Sequence, residues 1–187
     1  MHINYLPNIA YFQYLLSDEK SLVLHLKDNY SRQTYRNRTE IAGPNGKLVL
    51  SIPTQKLDKN NREYKNIKIS YSENWQKQHW KSMESAYRRS PYFEFYEDKF
   101  KRYYFNQDIE FLWEYNFELI SLIISILRLN LELKIDKENK IEQENNYPLL
   151  KTVSYQQVFS NKYSFIENLS VIDLIFNKGP QSLQKIV

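Results

Sequence analysis

The segment YRNRTEI, at residues 35–41, contains the side chains best able to bind an anion. Arg36 and Arg38 are separated by one residue, so on a β-strand they would face one side and Asn37 the other. Two guanidinium groups about 7 Å apart can hold a carboxylate, a phosphate or a pyrophosphate. The alternative interpretation is an exposed strand with solvated arginines, because most charged residues lie at protein surfaces.

His79 is the candidate for acid–base chemistry, because imidazole titrates near neutral pH. It shares a predicted helical stripe with Trp75, Met83 and Tyr87, which recur every four residues. This position is compatible with a general acid or base in an aromatic pocket. It is also compatible with a core histidine that is hydrogen-bonded to a backbone group or a tyrosine.

Asp173 and Asn177 lie four residues apart in the mostly apolar segment LSVIDLIFNKGP and would share one face of a helix. A carboxylate near a buried face needs a partner. We expect that partner to be Arg36 or Arg38. The pair would be either a structural salt bridge or part of a catalytic site.

Two further segments have both a functional and a structural interpretation. Ser90-Pro91 predicts a helix start with Ser90 as the cap, and the free N–H groups there could bind an anion beside the arginines. The segment KFKRYYF, at residues 99–105, combines basic and aromatic residues, as surfaces that bind single-stranded nucleic acid do. Its helical spacing favours a half-buried amphipathic helix instead.

Strong local catalytic and metal-binding motifs are absent from the sequence. The three glycines do not have the spacing of a phosphate-binding loop, and no G-x-S-x-G segment occurs. The three histidines are far apart, and the lack of cysteine excludes thiolate catalysis and cysteine-ligated zinc. The net charge of +4 is small for a nucleic-acid-binding protein. We therefore expect no metal, no cofactor and no nucleic acid.

The elements that must position these residues indicate an α+β fold in a single domain spanning residues 1–187. Residues 1–71 form a strand-rich part with a small mixed or antiparallel sheet. Residues 73–130 form a block of helices, and residues 131–187 contain a loop and C-terminal helices. With 16 Tyr, 10 Phe and 3 Trp, the core should contain many hydroxyl hydrogen bonds, because a buried tyrosine needs a partner.

In the strand-rich part, a short helix begins near Asn8, which suits a helix cap. The other predicted elements there are a strand in SLVLHLKD, a hairpin at residues 35–54 with its turn at Gly43–Gly46, a polar loop at residues 57–65 and a strand at residues 66–71. After residue 130 we expect a strand in NLELKID, a solvated loop in KENKIEQENN and a short helix that ends at Gly179.

In the block of helices, we expect three, which begin near residue 73, at Ser90-Pro91 and near Asp108. The most apolar stretch, residues 117–131, is too short for a membrane span and contains two charges, so it predicts a core helix. The N-terminus lacks the basic and apolar regions of a signal peptide. We therefore expect a cytoplasmic protein.

Four motifs resemble the WbqC-like protein family in order and spacing. They are YLPNIAYF, YRNR followed by I-x-G-x-N-G, HWKSMESAYRRSPYFEFY, and NLSVIDLIFNKGP. The resemblance covers nearly the whole chain, and the agreement of four separate motifs makes it specific. The chain departs from longer members at His2-Ile3, where they have Gln-Pro. It also departs at residues 130–150, which lack the glycine-rich stretch of those members.

The resemblance implies a bacterial protein of O-antigen or related surface-polysaccharide biosynthesis. It implies transfer of an aminoacyl (glycyl) or acyl group to an amino sugar, with a nucleotide-linked amino sugar as the small-molecule substrate. The alternative is a non-catalytic ligand-binding or scaffold protein of the same pathway.

The motifs and the chemistry above together define the expected site. His79 would deprotonate the sugar amine, and Asp173 would orient His79 or an arginine. The residues expected to contact the ligand are Tyr5, Asn8, Tyr11, Arg36, Asn37, Arg38, Tyr87, Ser90 and Asn177.

Overall fold

The computed structural model of the chain describes residues 1–18, 21–56, 61–140 and 147–187. Parts of two predicted loops, residues 57–60 and 141–146, lie outside these ranges. The α-helices and strands of the described residues are α1 (Ile9–Asp18), β1 (Ser21–His25), β2 (Arg38–Gly43), β3 (Gly46–Ser51), α2 (Trp75–Tyr87), α3 (Phe93–Tyr104), α4 (Leu112–Leu127), β4 (Glu132–Asp136), α5 (Val171–Lys178) and α6 (Ser182–Ile186). Two short 3-10 helices span Tyr64–Asn66 and Gly179–Gln181.

The strands of the described residues form two separate two-stranded sheets, and the fold class is α+β as predicted. The predicted hairpin is confirmed by the antiparallel pairing of β2 with β3, in which Gly43 lies opposite Gly46 and Pro44-Asn45 forms the turn. Gly46 has a φ of +103°, which a residue with a side chain rarely adopts. β1 pairs in parallel with β4, so the predicted strand in NLELKID belongs to a sheet with the N-terminal part.

The start of α1 is held by carboxamide side chains. Asn8 Oδ1 accepts a hydrogen bond from the backbone N–H of Tyr11 at 3.0 Å. Asn168 Oδ1 accepts one from the N–H of Ala10 at 2.9 Å. These bonds satisfy N–H groups that the first turn of a helix leaves free, so the predicted capping by Asn8 is confirmed.

The strand predicted at residues 66–71 is wrong, although its alternation of burial is correct. Ile67 and Ile69 are buried and Lys68 is exposed. The segment forms only isolated bridges, Ile69 with Thr54 and Lys68 with Phe111. Its hydrogen bonds are thus divided between two distant segments, and no continuous ladder forms with either.

The predicted block of three helices is confirmed as α2, α3 and α4. The predicted capping of α3 by Ser90 is wrong, because α3 begins at Phe93. The Ser90 hydroxyl donates a hydrogen bond to the Tyr87 carbonyl at 2.6 Å. Ser90 therefore closes the end of α2 instead of starting the next helix.

The buried apolar residues form one cluster that is rich in aromatic side chains. Tyr103 and Tyr104 of the KFKRYYF segment are buried in it with Phe100, which agrees with the amphipathic-helix interpretation of that segment. The six tyrosines with almost no exposed surface are Tyr5, Tyr11, Tyr64, Tyr87, Tyr104 and Tyr115. Across the described residues, none of the helices has the length and apolar character needed to cross a membrane.

Candidate functional site

A cleft of about 370 Å³ lies where the loop before β2, the end of β3 and the first turns of α2 meet, and we call it the Arg38 cleft. This volume is within the range of about 300–1,000 Å³ that is typical of small-molecule sites. Its charged and polar lining includes Arg32, Asn37, Arg38, Glu73, Gln78 and His79. The cleft therefore brings together three of the residues that the sequence singled out, namely Asn37, Arg38 and His79.

Three residues that line the Arg38 cleft contain buried polar atoms without a hydrogen-bond partner among the described residues. They are the donors Arg38 Nε and Trp75 Nε1 and the acceptor Asn37 Oδ1. The other end of the Asn37 amide is engaged, because Nδ2 donates to the Ile52 carbonyl at 3.1 Å. Buried polar groups almost always have a partner in folded proteins. Their convergence on one cleft marks it as a place where a polar ligand can be held.

His79 lines the same cleft and is fixed from behind by buried tyrosines. Its Nδ1 lies 2.9 Å from the Tyr5 hydroxyl, which lies 2.8 Å from the Tyr104 hydroxyl. Burial lowers the pKa of the His79 imidazole from 6.5 to about 4, and the nearby Ser51 carbonyl opposes this shift in part. The imidazole is therefore neutral at physiological pH.

The tyrosine chain continues to a backbone carbonyl, which has a consequence for the His79 tautomer. Tyr104 lies within hydrogen-bond reach of Tyr115, and the Tyr115 hydroxyl donates to the Tyr103 carbonyl at 3.3 Å. A carbonyl can only accept, so a proton on His79 Nδ1 gives every hydroxyl in the chain a donor and an acceptor. The Ser51 carbonyl can accept the proton of the neutral imidazole as well, so two acceptors compete for the one N–H of His79.

The low pKa of His79 predicts a pH-dependent stability that His79→Gln removes. The folded pKa is about 4 and the ordinary value is 6.5, so the unfolded chain binds more protons in this window. Wild type should lose about 3 kcal/mol of this contribution as the pH falls from 7 to 4. Urea unfolding at several pH values measures the difference between wild type and the variant. Lys77→Gln, an exposed change on the same helix, should retain the dependence. The interpretation fails if His79→Gln parallels wild type at every pH.

Arg36 is not part of the Arg38 cleft, and the prediction that both arginines share one strand face is wrong. β2 begins at Arg38, and the backbone N–H groups of Asn37 and Arg38 both donate to the Thr34 carbonyl in a turn. Strand alternation therefore does not apply to Arg36. Its guanidinium points into the core instead.

Arg36 belongs to a buried charged group that includes Asp28 and His2. Arg36 NH2 lies 3.7 Å from Asp28 Oδ2, and His2 Nδ1 lies 2.8 Å from the same oxygen. Arg36 NH1 donates to the Asn29 carbonyl at 3.1 Å, and the guanidinium lies 4.9 Å from the centre of the Tyr64 ring. Burial lowers the pKa of Arg36, but a guanidinium still remains charged in proteins.

Asp173 is fully buried away from both arginines, so the predicted Arg–Asp173 salt bridge is wrong. Asp173 Oδ1 accepts a hydrogen bond from the Tyr155 hydroxyl at 2.7 Å, with Gln157 Nε2 and Asn177 Nδ2 at 3.5 and 3.4 Å. Burial raises the pKa of Asp173 from 3.8 to about 6, and the interactions with Tyr155, Tyr87, Gln157 and Asn177 oppose the shift. Among the described residues no hydrogen bond joins Asp173 to His79, so it does not orient the imidazole by direct contact.

The remaining expected ligand contacts lie in other places. Tyr5 is completely buried behind His79, and Tyr11 packs edge-on against Tyr147, with 5.3 Å between ring centres. Tyr87 is buried, and its hydroxyl accepts a hydrogen bond from the Ala42 N–H at 3.1 Å. Ser90 and Asn177 line a different groove at the other end of α2.

Sequence analysis missed several residues of the Arg38 cleft. The helical pattern placed Trp75 on the stripe of His79 without assigning it to a site, and Gln78, which directly precedes His79 on α2, was not considered. Arg32 and Thr54 lie in the loop before β2 and beyond the end of β3, where no periodic signal marks them, and Ser51 is the last residue of β3. Among the described residues, no cluster of three or more His, Asp or Glu side chains could hold a metal ion.

The fold and this site together define an α+β protein with a polar cleft beside a buried neutral imidazole. The chain belongs to the WbqC-like protein family, whose model matches residues 3–154. The match includes the Arg38 cleft and ends before Asp173. No curated protein and no solved structure matches the chain.

Proposed function

We propose that the Arg38 cleft binds a small molecule that bears a phosphate or a carboxylate. The observation that supports this most directly is that two residues of its lining contain buried donors, Arg38 Nε and Trp75 Nε1, without a partner among the described residues. Arg32 adds a second positive charge at the cleft wall, and Glu73 is the acid among its lining residues. A guanidinium and an indole N–H in the lining of one cleft can each donate hydrogen bonds to an anion.

Within the WbqC-like family, we propose that the bound molecule takes part in transfer of an aminoacyl (glycyl) or acyl group to an amino sugar, in bacterial surface-polysaccharide biosynthesis in the cytoplasm. The sugar amine would attack the carbonyl carbon of the donor, forming a C–N bond and releasing the leaving group. The proton lost by the amine would pass to the neutral imidazole of His79. Arg38 would hold the phosphate of a nucleotide-linked sugar beside the imidazole.

The low pKa of His79 bears on this mechanism. A base works best when its pKa is close to the working pH. The pKa of the His79 imidazole in the ligand-free protein, about 4, is well below physiological pH. An anion bound at Arg38 would favour the protonated imidazole by Coulombic attraction and raise its pKa. The ligand would thereby bring the base closer to its working range.

A second candidate function is ligand binding without catalysis. It is favoured by the separation of Asp173 from His79, because the expected base lacks the carboxylate that was to orient it. Retained affinity for a sugar nucleotide with no product in mass spectrometry would support this function over the transferase.

Arg38→Met should weaken ligand binding by about tenfold or more, because hydrogen bonds to charged groups contribute about 1.5–3 kcal/mol. A thermal-shift screen with pyrophosphate, sugar nucleotides and aminoacyl donors measures this, since a ligand of the native state raises its melting temperature. Arg62→Met, an exposed arginine outside the cleft, should leave every shift unchanged.

The proposed transferase reaction makes a further prediction, which can be measured with any donor and acceptor pair that gives product. His79→Gln should lower turnover by about 100-fold or more while ligand affinity is retained. If a ligand raises the melting temperatures of wild type and Arg38→Met equally, the Arg38 cleft is not its binding site. If wild type and His79→Gln have equal turnover, His79 is not the base.

A further inference from the structure

A second, larger groove lies between the C-terminal end of α2 and the turns at residues 156–162, and we call it the α2 groove. Its volume is about 740 Å³. We propose that the α2 groove is a second ligand site, which takes a phosphate ester attached to a ring, as in a sugar phosphate or a nucleotide.

The charge of the α2 groove suits an anion. Of its basic side chains, Arg88 is neutralised by Glu84, with 2.7 Å between Arg88 NH2 and Glu84 Oε1. Arg89 and Lys162 line the groove and make no ion pair within the described ranges. A planar guanidinium binds two oxygens of a phosphate at once, and an ammonium adds a compact point charge.

A ring next to the phosphate would have a flat apolar surface to lie on. Phe159 lines the groove and is half-buried, so it brings an aromatic side chain to the lining. Asn161 and Ser85 are exposed polar residues of the same lining and can bond ring hydroxyls. An aromatic surface with neutral hydrogen-bonding groups around it is suited to a sugar or a base rather than to a bare ion.

The floor of the α2 groove contains two amide side chains that hydrogen bonds hold in place before any ligand binds. Gln157 lines the groove, and its side chain bonds both backbone groups of Ile166, with Nε2 to the carbonyl and the N–H to Oε1 at 2.9 Å each. Asn177 lines it as well and donates to the Asp173 carbonyl at 2.7 Å. Both amides also lie close to the buried Asp173 carboxylate. A floor already ordered in this way reduces the entropy cost of binding.

The α2 groove is distinct from the Arg38 cleft, because the two have no lining residue in common. Gln78 lines the cleft and Ser85 lines the groove, and the seven intervening steps along α2 span about 10 Å. Variants at one site can therefore leave the other intact. The inference does not depend on the function proposed for the Arg38 cleft.

Isothermal titration calorimetry with glucose 1-phosphate, uridine monophosphate and inorganic phosphate tests the proposal in the Arg38→Met protein, which removes the first cleft as a competing site. We expect a ring phosphate to bind at least about tenfold more tightly than inorganic phosphate. The double variant Arg89→Gln/Lys162→Gln, made in the same background, should weaken this binding by about tenfold or more. Arg62→Gln/Lys185→Gln removes the same charge elsewhere and should leave it unchanged.

The ring phosphates distinguish the two ligand sources, because tighter binding of uridine monophosphate indicates a nucleotide and tighter binding of glucose 1-phosphate indicates a sugar. Three outcomes would overturn the proposal. The first is that the ring phosphates bind no more tightly than inorganic phosphate. The second is that Arg62→Gln/Lys185→Gln weakens their binding as much as Arg89→Gln/Lys162→Gln does. The third is that neither ring phosphate binds to the Arg38→Met protein. If instead the function proposed for the Arg38 cleft is wrong, its ligands should raise the melting temperatures of wild type and Arg38→Met by the same amount.

Discussion

Arg36→Met should lower the free energy of unfolding by about 3–5 kcal/mol, whereas Arg38→Met should lower it by about 1 kcal/mol or less. The two arginines are separated by one residue, but their surroundings differ completely. Arg36 is 3% exposed, and its guanidinium lies 3.7 Å from the carboxylate of the equally buried Asp28. Removing the Arg36 guanidinium leaves the buried Asp28 carboxylate without this positive charge beside it.

Several other contacts of Arg36 would be lost with the charge. Its NH1 donates to the Asn29 carbonyl, its NH2 lies 2.6 Å from His2 Nδ1, and its guanidinium stacks over Tyr64. Arg36→Lys keeps a positive charge but not the planar fork, so we expect an intermediate loss of stability. This second variant keeps the experiment informative if Arg36→Met does not fold.

Urea unfolding followed by tryptophan fluorescence measures all three variants. Arg62→Met, which changes an exposed arginine, serves as the control for loss of charge and should stay within about 0.5 kcal/mol of wild type. The assignment is wrong if Arg36→Met is as stable as Arg38→Met. In that case the contacts of Arg36 with Asp28, Asn29 and Tyr64 would contribute little to the stability of the fold.

Asp173→Asn should stabilise the protein by about 3 kcal/mol at pH 7. Burial raises the pKa of this carboxyl from 3.8 to about 6, so the folded state disfavours the ionised form. An amide has nearly the same shape and has no charge to desolvate. Its oxygen can still accept the hydrogen bond of the Tyr155 hydroxyl, which lies 2.7 Å from Oδ1.

The pH dependence of this effect has a definite sign. Between the two pKa values, 3.8 and about 6, the folded chain binds more protons than the unfolded chain. Wild type therefore loses stability from this group as the pH rises through that window, and the variant does not. The advantage of Asp173→Asn should be small near pH 4 and complete by pH 7.

Thermal and urea unfolding from pH 4 to pH 7 measure this difference, and Asp98→Asn, an exposed change on α3, is the control and should show no such trend. A variant less stable than wild type at pH 7 would mean that the ionised carboxylate is well stabilised where it lies. The effect opposes that of His79, whose contribution is lost as the pH falls. Comparing each variant with wild type separates the two groups.

Much of the local structure follows from short stretches of sequence. The alternation around Gly43–Gly46 predicts the β2–β3 hairpin, because strand period and turn residues act within a few positions. The four-residue spacing of the α2 stripe places His79 among buried aromatic residues, because neighbours on a helix face are set by its pitch. The YRNR segment, read as a possible anion site, does contribute Asn37 and Arg38 to the cleft.

What the sequence by itself determined was therefore the fold class, most of its helices and strands, and which residues had chemistry to offer. Only the tertiary structure decided which of those residues meet. β2 begins at Arg38 because the preceding backbone turns onto Thr34, and that turn sends Arg36 towards Asp28. Asp173 is bonded by Tyr155 and Gln157, which come from a segment without periodic pattern. Side-chain direction at strand ends and pairing between distant segments depend on packing across the whole core, and no short window of sequence contains that information.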